Sequence, residues 1–244
     1  MVAAGSRVKS MPGLITFQAF ESRSEASSAA ANLLSNRLKS ALAKDTRALA
    51  SLVVSGGSTP GPCFDQLSTE TLDWSRVTVL PSDERWVTVN DPDSNERLIR
   101  SRLLQGSARQ GNILSFFREG IEARQAPRVI EQSLANVARP FSATLLGMGE
   151  DGHFASLFPD FADLQNALDP SGKDQCIMVQ TEGSPHFRIS LSLSALLDSG
   201  SIVLLIFGES KRAVFNTAMD GGSDYPIESL LRYIKTPLTV IWAP

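Results

Sequence analysis

Four short polar segments carry the residue types that proton transfer and anion binding need. In Gly147-Met148-Gly149-Glu150-Asp151-Gly152-His153 an imidazole directly follows an Asp-Gly pair. Imidazole exchanges protons near neutral pH, so His153 can take a proton from water, and Asp151 can orient the ring or stabilise the imidazolium. In Ser55-Gly56-Gly57-Ser58-Thr59-Pro60 two glycines let the backbone bend tightly and bring amide N–H groups towards a ligand; Ser58 and Thr59 add hydroxyl donors. Asp83-Glu84-Arg85 sets paired carboxylates and a guanidinium on one loop. Arg188 and Lys211 can hold a phosphate, the first bidentately and the second as a point charge.

Each motif has a plainer counterpart. The Gly56–Thr59 turn also reads as an ordinary strand-to-helix turn, and the Asp83–Arg85 segment as a solvated charge cluster. Reading Ser58 as a G-x-S-x-G nucleophile fails on the missing closing glycine, since Pro60 stands there. The run from Gly147 to Gly152 formally satisfies G-x-G-x-x-G. A dinucleotide pyrophosphate would sit against Glu150 and Asp151, whose charge repels it, and Pro159 limits any following helix. The second histidine, His186, lies at a strand start and reads as structural or peripheral. Arg188 or Lys211 alone would be a surface charge.

Positioning these segments is the work of alternating strands and helices. Apolar patterning predicts strands at Leu14–Phe20, Ala50–Val54, Val77–Leu80, Asn112–Phe116, Ala143–Leu146, Cys176–Val179, Phe187–Leu191, Ser201–Phe207 and Leu238–Trp242. Helices are expected at Ser24–Ala43, Pro62–Leu67, Asn95–Gln105 (capped by Ser94), Glu122–Val137, Ser210–Met219 and Ile227–Tyr233. Alternation of this kind implies an α/β fold, a doubly wound and largely parallel sheet with helices on both faces. Ligands bind outside the carboxyl ends of such strands, where Gly56–Thr59, Asp83–Arg85, Asp151–His153 and Glu209–Lys211 are expected to converge.

No linker or repeat divides the 244 residues, so residues 13–244 are expected to form one domain, with residues 1–12 a disordered extension. A formal charge of −3 argues against a nucleic-acid partner. The longest strongly apolar run, Ile202 to Phe207, suits a buried strand and is far too short to span a bilayer, so no membrane association is expected. Cys63 and Cys176 have neither zinc-ligand spacing nor a disulfide framework. The expectation is a cytoplasmic protein without metal or other cofactor.

Taken together, the segments resemble the 6-phosphogluconolactonases within the glucosamine-6-phosphate isomerase/lactonase family. The matching stretches are Ser55–Pro60, Ser82–Val87, Asp93–Arg97 and Leu146–Pro159, with weaker matches at Phe187–Leu193 and Gly208–Ala213. They fall in family order across nearly the whole chain, and GMGEDGH is the most specific. The resemblance implies hydrolysis of 6-phospho-D-glucono-1,5-lactone, a small sugar-phosphate partner, in the pentose phosphate pathway. It implies His153 as general base, supported by Asp151, with Gly56, Gly57, Ser58, Thr59, Arg188 and Lys211 near the phosphate or sugar. Asp83 and Arg85 complete the candidate catalytic set, Arg85 as an oxyanion donor beside the backbone amides. The stretch before Arg188 departs from the family, where prolines are more frequent. The alternatives are the sister deaminase/isomerase activity on glucosamine 6-phosphate and a non-catalytic sugar-phosphate-binding protein. The deaminases carry a glutamate five residues after the histidine; here Phe158 stands there and cannot exchange protons. A monomer or weak homo-oligomer is expected.

Overall fold

A computed structural model describes residues 13–244, so the expectation for residues 1–12 lies outside the described residues. In chain order the strands are β1 (Ile15–Ala19), β2 (Ala50–Val54), β3 (Val77–Pro81), β4 (Asp83–Arg85), β5 (Asn112–Ile113), β6 (Ala143–Leu146), β7 (Cys176–Val179), β8 (Arg188–Leu191), β9 (Ile202–Phe207) and β10 (Leu238–Ala243). The α-helices are α1 (Arg23–Leu42), α2 (Gly61–Leu67), α3 (Asn95–Leu98), α4 (Ala126–Leu134), α5 (Leu164–Ala167), α6 (Leu193–Leu197), α7 (Glu209–Asp220) and α8 (Pro226–Tyr233).

Seven strands form one parallel sheet in the order β1-β10-β9-β6-β2-β3-β5. Its inner strands are predominantly apolar and without charged residues because both faces are covered. On β9, Ile202, Leu204 and Ile206 pack towards α4, α7 and α8, while Val203 and Leu205 pack towards α1 and α2. Two cores result, one on each side, and the expected doubly wound α/β fold in a single domain is what forms. From β2 the chain proceeds to β3 and β5 on one side, then returns to β6 on the other. The reversal opens a crevice between the β2 and β6 ends, the position where such sheets bind ligands.

Local chemistry sets several boundaries. Ser22 caps α1 by accepting from the N–H of Glu25. Ser94 caps α3 by accepting from Arg97 N–H, and the helix then widens into a π turn over Ile99–Leu103. The helix expected over Glu122–Val137 is α4 preceded by a 3₁₀ turn at Ala123–Gln125, with Pro127 in its first turn, where a missing N–H matters least. The strand expected over Asn112–Phe116 pairs only at Asn112 and Ile113.

One expectation is corrected. Asp83–Arg85 is not a loop: as β4 it pairs antiparallel with β8, which pairs with β7, making a second, three-stranded sheet. Its charged sequence hides it, because β-propensity patterns do not flag Asp-Glu-Arg as a strand. Ser82 joins the sheets, donating its N–H to Val54 and accepting from Leu191 N–H. Helices α5 and α6 were also not expected; each is one turn or little more.

Candidate active site

A cleft of about 250 Å³ opens at the carboxyl ends of β2, β6 and β9, flanked by the small sheet. Of the sequence-derived candidates, it is lined by Gly56, Gly57, Ser58, Thr59, Asp83, Arg85, His153, Arg188 and Lys211. Segments from the length of the chain therefore meet in one place. Asp151 is not part of the lining; it contacts His153 from the solvent side.

His153 is held from several directions. Its Nδ1 lies 2.6 Å from Asp151 Oδ1, and its backbone N–H donates to the same oxygen at 3.2 Å. Binding Nδ1–H to a carboxylate leaves Nε2 with the lone pair that a base needs. The loop folds back on itself, Gly149 N–H donating to His153 O at 2.9 Å. A Cβ on Gly149 would stand 2.2 Å from His153 Nδ1 and 2.4 Å from Asp151 Oδ1, so only glycine permits the pair. On its other side the ring packs against Phe158 at a centroid distance of 4.3 Å. Phe154 and Leu157 are fully buried and anchor the segment in the core. Ala155, between them, adopts φ 48° and also lines the cleft; backbone strain in a non-glycine residue concentrates at functional sites.

The small sheet supplies the charged wall. Arg85 and Arg188 are direct cross-strand partners, so two guanidinium groups stand side by side. Like charges opposed in this way repel, and an anion between them would relieve the repulsion. Burial holds the Arg188 guanidinium below its usual range, opposed by Asp83, whose carboxylate lies 3.9 Å away. Arg188 also donates through Nε to Ser184 Oγ at 3.4 Å and lies 5.0 Å over the Phe158 ring. Arg85 Nη1 donates to Asp93 O, while its buried Nε has no partner among the described residues. Asp83 is buried and accepts from Ser82 Oγ at 2.9 Å and Ser156 Oγ at 2.6 Å, tying the histidine loop to the small sheet.

Glu84 points away from the cleft. Fully buried, it accepts from the backbone N–H groups of Asn95 (2.7 Å), Glu96 (2.6 Å) and Arg85 (2.8 Å), and from Ser94 Oγ (3.1 Å). Burial raises its carboxyl from the usual 4.5 to about 7, against the lowering effect of these donors. His186 is peripheral, its Nε2 3.2 Å from Asp93 Oδ2. Among the described residues no group of three or more His, Cys, Asp or Glu side chains could hold a metal ion.

Asn95, Ala155 and Ser156 are the residues the motifs missed. Asn95 lies in the recognised Asp93–Arg97 stretch, but its place in the cleft depends on Glu84, eleven positions earlier. Nothing in local spacing signals that.

Comparison with known proteins gives a consistent result. Residues 21–240 match the family model described as glucosamine-6-phosphate isomerases/6-phosphogluconolactonase. The chain is 36% identical to a 6-phosphogluconolactonase of Pseudomonas aeruginosa, over 96% of this chain and 97% of that one. It is 38% identical to one of Rhizobium meliloti, over 92% and 97%. A crystal structure of a 6-phosphogluconolactonase from Shewanella baltica superposes with a TM-score of 0.91 at 36% identity, covering 98% of this chain and 100% of that one. A monomeric glucosamine-6-phosphate deaminase shares the fold, with a TM-score of 0.73 at 21% identity.

Proposed function

The chain belongs to the glucosamine-6-phosphate isomerase/6-phosphogluconolactonase family, and on that premise we propose that its cleft hydrolyses 6-phospho-D-glucono-1,5-lactone to 6-phospho-D-gluconate. The reaction is the hydrolytic step of the oxidative pentose phosphate pathway. The observation that carries the mechanism is His153, held by Asp151 behind it and set on the cleft wall together with Arg85, Arg188 and Lys211.

A δ-lactone is an activated ester, so no covalent nucleophile is required. His153 Nε2 takes a proton from water as the water oxygen bonds to C1, and the carbonyl electron pair moves onto its oxygen. General-base help of this kind is worth about 10²–10⁴-fold. Asp151 Oδ1 stabilises the resulting imidazolium. Amides of the Gly56–Thr59 turn and the Arg85 guanidinium, which lines the cleft, are the donors for the oxyanion. Collapse breaks the bond from C1 to the ring oxygen, and that oxygen takes the proton back from the imidazolium. The new carboxylic acid then ionises. Arg188 and Lys211 hold the phosphate throughout, with hydroxyls of Ser58 and Thr59. Asp83 holds Arg188 and the histidine loop in register through its carboxylate.

The deaminase reading lacks a proton carrier at Phe158, whose ring packs against the imidazole. A non-catalytic sensor would have no use for the Asp151–His153 pair. No helix among the described residues is long and apolar enough to cross a membrane. Free and buried, Cys63 and Cys176 suit the reducing cytoplasm.

The test is a stopped assay with freshly generated lactone, read against its spontaneous hydrolysis. Turnover well above the uncatalysed rate is expected. Background-rate hydrolysis together with ammonia release from glucosamine 6-phosphate would overturn the proposal.

A further inference from the structure

We infer that Asn95 is a specificity-determining residue whose side-chain carbonyl accepts a hydrogen bond from one ring hydroxyl of the substrate. Three features of the cleft lead to it. Asn95 lines the cleft although only 3% of its surface is exposed. Its Nδ2 donates to Asp83 O at 2.8 Å, which fixes the amide orientation, because the flipped form would set two carbonyl oxygens against each other. Oδ1 accepts from no group among the described residues and is not sealed in the interior, so on a nearly buried residue it is left as a free acceptor facing the cleft. Such a group costs free energy unless a ligand or water satisfies it.

The surroundings are built to hold that atom in place. Ser94 caps α3, and Glu84 Oε1 accepts from the Asn95 N–H at 2.7 Å, so the backbone is fixed on both sides. The Gly56 backbone lies close against the amide: a Cβ there would stand 1.9 Å from Oδ1. Gly56 is thus required for close approach, and the Asn95 acceptor sits beside the glycine turn.

The chemistry of the ligand determines what Oδ1 can read, and here the inference rests on the lactone assignment. The carbonyl, the ring oxygen and an ionised phosphate offer acceptors only. The ring hydroxyls are the donors, so an acceptor-only atom pairs with one of them. A site built to hydrogen-bond a hydroxyl discriminates strongly against an analogue lacking it, because its own buried group is then left unpaired.

The experiment is a cycle of enzyme and substrate deletions. Wild type, Asn95→Ala and Asn95→Ser are each assayed with 6-phosphogluconolactone and with its 2-deoxy, 3-deoxy and 4-deoxy analogues. On the parent lactone each variant should lose about tenfold or more in kcat/KM, the kinetic equivalent of one neutral hydrogen bond. One analogue should show little further loss in the variants, because its missing hydroxyl is the partner of Asn95. Equal loss on all four substrates, or variants within twofold of wild type, would overturn the inference. Should neither variant fold, the wild type alone decides: one deoxy analogue must be at least about tenfold poorer, and uniform rates across the series refute the inference. If wild type fails to hydrolyse the parent lactone above background, the functional assignment itself fails, an outcome separate from these.

Discussion

Segments leaving β2, β6 and β9 meet the cleft largely through glycine-rich backbone, one imidazole and one ammonium, Lys211, whereas β4 and β8 meet it through charged side chains, Asp83, Arg85 and Arg188. The parallel sheet fixes backbone direction at its carboxyl ends and leaves the side chains small. The antiparallel sheet aims long side chains from one face into the same volume. The division has a chemical sense. Proton transfer needs one group held rigidly by its own loop, as His153 is held by Asp151, Gly149 and Phe158. Grip on an anionic substrate needs several cations sharing a surface. The His153 loop of the large sheet should therefore govern kcat, and Arg188 of the small sheet KM, with Lys211 after β9 adding to the grip.

The sharpest way to break that division is to remove the imidazole. His153→Ala should lower kcat by about 10²–10⁴-fold while 6-phosphogluconate, measured by calorimetry, still binds. Near-normal turnover would take the chemistry away from the parallel-sheet loop altogether.

Glu84 tests what a buried carboxyl beneath the small sheet costs when it ionises. Its carboxyl is raised in the folded protein from 4.5 to about 7, so between those values the folded state binds more protons than the unfolded chain. Stability from this group is therefore full below about pH 4.5 and is lost as pH rises towards 7, by up to about 3 kcal/mol. Urea unfolding at pH 5 and pH 8 should show the loss in wild type, and Glu84→Gln should lack that component. An identical pH slope in the variant would mean that Glu84 is ionised throughout.

Arg188→Ala should raise KM by roughly thirtyfold, the loss of about 2 kcal/mol of charge-assisted hydrogen bonding, with kcat changed less. Lys211→Ala should act in the same direction. A fall in kcat at unchanged KM would erase the contrast between the two sheets.

The same contrast explains what could be read from the chain beforehand. The parallel sheet and its loops were legible because each unit is local: an apolar run such as Ile202–Phe207, then a glycine or Asp-Gly-His turn. The small sheet was legible only in part: β7 and β8 were expected as strands, whereas β4 was read as a loop. β4 lies far along the chain from the consecutive strands β7 and β8, and the pairing of Arg85 with Arg188 is a register, which no local pattern encodes. Arg85 and Arg188 were recognised singly, as chemistry, without the sheet that sets them side by side. Asn95 and Ser156 escaped for the same reason: each matters through a partner far away in sequence, Glu84 or Asp83.

The smallest expected effect tests the backbone side of the comparison. Gly57 adopts φ +84°, and a Cβ added there would meet nothing within 4 Å. Gly57→Ala therefore isolates backbone strain from crowding, and it should destabilise the protein by about 1–2 kcal/mol in urea unfolding. At Gly56, by contrast, the same methyl would collide with Asn95 and confound the two causes. If Gly57→Ala costs stability and also weakens 6-phosphogluconate binding, the turn acts on its ligand through the conformation that glycine alone adopts easily. Unchanged binding at reduced stability would instead assign the ligand contacts of that wall to Ser58 and Thr59, and the parallel sheet would then meet its substrate through side chains, as the small sheet does.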